Sequence, residues 1–316
     1  MKPKTFARFA WLTLGYNVIV IIWGVFLRAS KSGDGCGQHW LTCKGELIPT
    51  APELKTIIEF THRIMSGIDF FLVLALFIVA FIYYSKGDIV RKFAAISFLF
   101  MITEALVGAG LVLTGNTAES TNATRPLWAI GHLINTFILL AALTLTAFYA
   151  NNKRKLDFSH GKKLWFALAT IGLLLIGSSG VLAALSSMLF PSATLVEGIR
   201  QDLSQTANAL VRLRISHPIL SVLISVGVLF YVAWIKRIRQ TDRKLSRFAS
   251  IFSVLILVQV AFGAATLLSL GPILMQLGHL FLADMVWIFF VLFTATFYSS
   301  TSNDYDARPV LSESEY

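Results

Sequence analysis

Eight long apolar runs dominate the chain, at roughly 8–30, 57–84, 92–114, 125–150, 163–188, 209–235, 245–270 and 272–299, with short polar links between them. Each is long enough to cross a hydrocarbon core as a helix, which takes about 20 mostly apolar residues and satisfies every backbone group within the segment. The pattern predicts an all-α integral membrane protein. A shorter pattern lies between the fifth and sixth runs, where Leu195, Ile199, Leu203 and Leu210 recur among polar residues. It predicts an amphipathic helix at the membrane interface. The first run follows a basic stretch, as a signal peptide would, but it is too long and lacks a small-residue cleavage site. It reads as a retained span.

Composition agrees with the pattern. The chain is 56% hydrophobic and 14% charged, with a mean hydropathy of +0.70, outside the range of a soluble domain. The net charge of +10 resides mostly in the N-terminus (Lys2, Lys4, Arg8) and in the links after the second, fourth and sixth runs. By the positive-inside rule both termini are expected in the cytoplasm. Basic charge placed in short loops sets topology and does not point to nucleic acid. Nothing resembles an Arg-rich, Ser-rich transit peptide, so a prokaryotic cell membrane is the expected location, with membrane lipid as a partner. Residues 301–316 read as a polar cytoplasmic tail.

The first four runs repeat in the second four. Glu104-Ala-Leu-Val-Gly108 of the third run matches Gln259-Val-Ala-Phe-Gly263 of the seventh, and Gly131-His132-Leu133 of the fourth matches Gly278-His279-Leu280 of the eighth. Four crossings restore the starting side, so the repeats are parallel, related by a pseudo-twofold axis along the membrane normal. The expected architecture is eight transmembrane helices as two pseudo-symmetric four-helix bundles, 1–155 and 156–300.

Four of the six histidines fall near the start of an even-numbered run, pairing as His62 with His132 and His217 with His279. All four then reach the outer side at similar depth. Imidazoles from neighbouring helices are standard axial ligands of heme iron, so the repeat predicts two heme sites. Glu59 is three residues before His62 and shares its helix face. It can accept protons beside an oxidation or simply favour the helix dipole. The second half has Arg214 there, then His217-Pro218. Arg63 and Arg125 in the first half, and Arg212 and Arg214 in the second, are candidate partners for heme propionates. Asp69 and Glu104 lie inside spans; each can extend a proton path or act as a protonated acid hydrogen-bonded between helices. Cys36 and Cys43 share the first outer loop, a spacing that permits a disulfide and also permits reactive thiols. His39 and His160 read as solvated loop residues.

The ordered run Arg28-Ala-Ser-Lys-Ser-Gly33-Asp-Gly35-Cys36-Gly-Gln-His-Trp40-Leu-Thr-Cys43, followed by Glu59-x-x-His62-Arg63, Gly131-His132 and Gly278-His279, resembles the heme A synthase family over nearly the whole chain. The resemblance implies oxidation of a ring methyl group of heme O to a formyl group by successive hydroxylations, giving heme A for terminal oxidases. It implies that His62 and His132 hold the substrate heme and that His217 and His279 hold a heme b cofactor. Glu59 falls on the family's catalytically important acid, and Cys36 with Cys43 on its outer-loop cysteine pair. Heme O synthase and an electron acceptor are the implied partners. The chain departs from the family pattern at His217-Pro218 and at Glu104, where glutamine is expected. The competing reading is a diheme b-type membrane protein that only transfers electrons, though such cytochromes often place hemes on both membrane sides.

Overall fold

The structure is a computed structural model that describes residues 3–151, 155–157, 161–239 and 241–300. The tail 301–316 and His160 lie outside the described residues. Ten helices and one minimal strand pair are present among the described residues. Helices α1 (Pro3–Ala29), α2 (Leu54–Tyr83), α3 (Ile89–Leu113) and α4 (Arg125–Asn151) form the first half. The second comprises α5 (Lys163–Leu189), α6 (Leu195–Leu203), α7 (Ala209–Arg214), α8 (Ser216–Ile238), α9 (Arg243–Leu268) and α10 (Ile273–Phe297). Strand β1 (Lys155–Leu156) pairs antiparallel with β2 (Ser299–Ser300), tying the link between the halves to the end of α10.

Eight helical segments are long and apolar enough to cross a membrane, α7 and α8 counting together. Large apolar side chains such as Leu12, Phe71, Phe230 and Leu274 are widely exposed along them. A water-facing surface of that kind would aggregate, whereas lipid tails cover it without cost. The chain is a multi-pass membrane protein. Two helices, α3 and α9, begin a few residues before their apolar runs because a polar cap starts them. The Asp88 carboxylate accepts the Val90 N–H at 2.8 Å, and the Asp242 carboxylate accepts the Leu245 N–H at 2.9 Å.

One expected span is broken. The sixth run divides at Ile215 into α7 and α8, whereas α2 runs unbroken through the matching place. Pro218 has no N–H to give the Arg214 carbonyl four residues earlier, and its ring crowds that carbonyl. Arg63, the counterpart of Pro218, imposes neither constraint.

In the first half α1 packs on α2 and α4, and α3 lies between α2 and α4; in the second, α8 packs on α5 and α9, and α9 on α10. The halves meet along α4 and α10, flanked by α1 against α10 and α5 against α4. Consequently α4 and α10 are the most enclosed spans. Across this seam the Trp287 indole stacks on Phe137, with centroids 5.0 Å apart, and donates from Nε1 to the Phe137 carbonyl at 2.7 Å. The amphipathic helix expected after the fifth span is α6, with Val196, Ile199 and Leu203 exposed; Leu210 falls on α7.

Candidate heme sites

The first outer loop is built onto the start of α2. Cys36 and Cys43 form a disulfide, and both are buried. The loop approaches α2 so closely that a Cβ on Gly35 would stand 2.6 Å from the Thr56 nitrogen and closer still to the Lys55 carbonyl. Only glycine fits there. Thr56 Oγ1 donates to the Gly35 carbonyl at 2.7 Å, and the Cys36 N–H donates to Glu59 Oε2 at 2.8 Å. Arg63 completes the clasp. Its Nε and Nη2 donate to Glu59 Oε1 at 3.1 and 2.5 Å, and its Nη1 donates to the carbonyls of His39 and Thr42 at 2.7 and 2.9 Å. Glu59, 3% exposed, therefore joins the helix turn that carries His62 to the disulfide loop. The His39 side chain is exposed, and only its carbonyl is engaged.

Three of the four histidine rings are seated in a repeated way; His132 is the exception, since a Cβ on Gly108, the counterpart of Gly263, would meet nothing within 4 Å. The His62 ring lies over Gly24 of α1, where an added Cβ would be 3.1 Å from Cε1. The His217 ring lies over Gly180 of α5 in the same manner, at 3.0 Å, and the His279 ring over Gly263 of α9, at 2.7 Å. A small residue on the neighbouring helix lets each ring lie flat between helices. The His217 and His279 ring centroids are 6.3 Å apart. Two imidazoles on opposite sides of one metal, with metal–nitrogen bonds of about 2 Å, bring their ring centres to about that separation. The donor set fits a heme iron in the second half. His217 Nδ1 is anchored by Ser179 Oγ at 3.1 Å, while His279 Nδ1 is buried with no hydrogen-bond partner.

The first half is furnished differently. Glu104 Oε1 faces His132 Nδ1 at 3.3 Å, an ion-pair distance, without the geometry of a hydrogen bond. Asn135 Nδ2 donates to Glu104 Oε2 at 2.5 Å, and Thr136 Oγ1 donates to Oε1 at 2.5 Å. Thr103 Oγ1 in turn donates to Asn135 Oδ1 at 2.6 Å. Deeper in the same half, Asn17 Nδ2 of α1 donates to Asp69 Oδ2 of α2 at 2.5 Å. Both Asp69 and Glu104 are thus hydrogen-bonded between helices.

Three of the four candidate arginines have protein partners. Arg125, buried, donates to the carbonyls of Ser120 and Ala118, and Arg63 is engaged as above. Arg214 pairs with Asp202 of α6, Nε to Oδ1 at 2.8 Å, and donates to the Gly198 carbonyl, so it holds α6 over the second half. Arg212 is exposed. Among the described residues no group of three or more His, Cys, Asp and Glu side chains forms a separate metal site.

Several participants escaped the sequence reading. Asn135 and Thr136 follow His132 by three and four residues, a spacing that places them on its helix face. Gly24 and Gly180 are 156 residues apart, close to the repeat interval of the histidines. Asp284, wholly buried with neither oxygen partnered, was signalled only by being an acid within a span.

Residues 7–291 match a family model described as cytochrome oxidase assembly protein. Over 301 residues, 94% of its length, the chain is 40% identical to a Thermus thermophilus protein named protoheme IX farnesyltransferase, the match covering 49% of that relative. The chain thus spans about half the length of these Thermus relatives. Shorter stretches resemble proteins named heme A synthase. One from an Exiguobacterium species is 42% identical over 102 residues, 32% of this chain and 34% of the relative. Another, from Halalkalibacterium halodurans, is 40% identical over 109 residues, 34% of this chain and 37% of the relative. With a family match running through all eight spans, the chain belongs to the cytochrome oxidase assembly protein family.

Proposed function

We propose that this protein is a heme A synthase, with His62 and His132 holding the substrate heme O and His217 and His279 holding a heme b, in two bundles related by the sequence repeat. The observation that carries the reading is the seating of three of the four histidine rings over glycines, with one pair already at the spacing of two axial ligands. A bound heme supplies the redox chemistry. The protein's own residues orient it, exclude water and receive protons.

Relative to a methyl group and one water, a formyl group is four electrons and four protons poorer, so the substrate half needs polar groups near the reacting ring. At the positions the repeat matches, the first half has three carboxyl groups where the second has none, and the buried acid of the second half, Asp284, stands where the first has Phe137. Glu59, Asp69 and Glu104 correspond to Arg214, Ile224 and Gln259. Glu59 keeps the His62 turn and the disulfide loop in register, and Arg63 holds its carboxylate in place. This asymmetry supports assigning the oxidation to the first half and electron handling to the second.

The Thermus relatives named for farnesyl transfer to protoheme contain a segment like this chain within a protein about twice as long. That arrangement supports a farnesylated heme as substrate and a heme O synthase as partner. The location proposed is a prokaryotic cell membrane, with both termini cytoplasmic and the histidines toward the outer side. The test is complementation of cells that lack heme A, followed by heme extraction. Formyl heme restored by the wild type and lost in Glu59→Ala and His62→Ala is the expected result. Retention of heme b alone, with no heme O or heme A in any condition, would refute the synthase in favour of a diheme electron carrier.

A further inference from the structure

The two histidine pairs differ in what stands behind them, and the difference is concentrated on one side chain. Behind His132 is a carboxylate, Glu104, 3.3 Å from Nδ1. Behind His279 the repeat places an amide, Gln259, whose Oε1 is buried with no partner, and His279 Nδ1 is likewise unpartnered. The cradle around Glu104 is also confined to the first half. Asn135, Thr136 and Thr103 supply it, and their counterparts Leu282, Ala283 and Val258 have no donor to offer. Both oxygens of Glu104 lie at hydrogen-bond distance from polar side chains, Asn135 and Thr136, so the carboxyl group is fixed in place. Four substitutions between the repeats therefore act together to set a carboxyl group, in place of an amide, against the outer nitrogen of one imidazole.

A carboxylate behind a ligating histidine fixes the ring and raises the basicity of its metal-facing nitrogen, and loss of such a partner typically weakens metal binding by about 10- to 100-fold. We propose that Glu104 is a positioning residue that orients His132 and strengthens it as a donor, so that the heme of the first pocket is held at a lower reduction potential than that of the second. The proposal rests on the reading that each histidine pair holds a heme. It makes the pockets electronically unequal, the first favouring the oxidised state and the second drawing electrons from it.

The experiment is a spectroelectrochemical titration of the full-length purified protein with heme in both pockets. The first-pocket signal is assigned by its loss in His132→Ala, and the second by its loss in His279→Ala. Glu104→Gln is expected to raise the midpoint of the first heme alone, with Glu104→Asp restoring part of the shift. Gln259→Glu is expected to lower the midpoint of the second heme, and it decides the matter if Glu104→Gln empties its pocket. Unchanged midpoints in Glu104→Gln with both hemes retained, or in Gln259→Glu, overturn the proposal. If neither His62→Ala nor His132→Ala removes a heme signal, the two-heme reading fails instead.

Discussion

Replacing Gly35 by alanine tests whether the disulfide loop is what keeps Glu59 and Arg63 in place. The added Cβ would stand 2.6 Å from the Thr56 nitrogen, and the atoms it meets are backbone of the first turn of α2, which cannot swing aside. Ordinary contact begins near 3.4 Å, so the loop must lift by about 1 Å. A hydrogen bond of 2.7 or 2.8 Å stretched by that much is no longer a bond. Two are lost together, Thr56 to the Gly35 carbonyl and the Cys36 N–H to Glu59. A neutral bond contributes about 0.5–1.5 kcal/mol and one to a charged group about 1.5–3. The docked loop is then weakened by about 2–4 kcal/mol, roughly a 30- to 1,000-fold change in its opening equilibrium. The assay is the rate at which a water-soluble reductant opens the buried Cys36–Cys43 bond in the folded protein, with the second-pocket heme spectrum as a control for folding. Gly35→Ala should be reduced faster by a factor in that range and Glu59→Gln by a smaller one. Reduction at the wild-type rate would show that the loop is held by something other than this contact.

Three other outcomes are expected. Asp284→Leu removes an acid that is wholly buried without a hydrogen bond; thermal unfolding in detergent should show a gain of about 1–3 kcal/mol, and a lower midpoint would mean the carboxyl has a partner. Gly263→Ala puts a methyl group 2.7 Å from His279 Cε1; heme should be lost from the second pocket even though alanine favours the helix by about 1 kcal/mol, and full heme occupancy would refute the seating. Lys31 pairs with Glu119 beside the carbonyls that receive Arg125, and it draws the Glu119 carboxyl below its ordinary 4.5. Because the folded value is the lower one, this pair helps hold the loop above pH 4.5 and ceases to as the pH falls through the folded value. Limited proteolysis of the 115–124 loop across that window should show the change in the wild type and not in Lys31→Ala.

The eight spans were legible because apolar length alone decides whether a helix can cross a bilayer. The approach of His217 to His279, 6.3 Å between ring centroids, was legible because the repeat makes a lone residue into a pattern. The disulfide was one of two states that the spacing of Cys36 and Cys43 allowed, and only the folded loop distinguishes them. The break at Ile215 was signalled by Pro218, yet a continuous apolar run concealed it. What the sequence could not convey is commitment. Arg63, Arg125 and Arg214 each looked available for an anionic ligand, and each proves to be engaged with carbonyls or carboxylates of its own chain. Such partners come from loops whose paths no periodicity records.

The seam of α4 and α10 has a consequence for how such a chain arises. An isologous contact sets a surface against its own image, and a fourth helix facing its copy across a twofold axis is what a dimer of single four-helix units would present. Once two copies are joined in one polypeptide, that obligation lapses and facing positions drift apart. Phe137 now answers to Asp284 rather than to a second phenylalanine, and Trp287 reaches over to bind the Phe137 carbonyl. On the proposal that each histidine pair holds a heme, such a fusion would let two interchangeable pockets become a donor and a recipient.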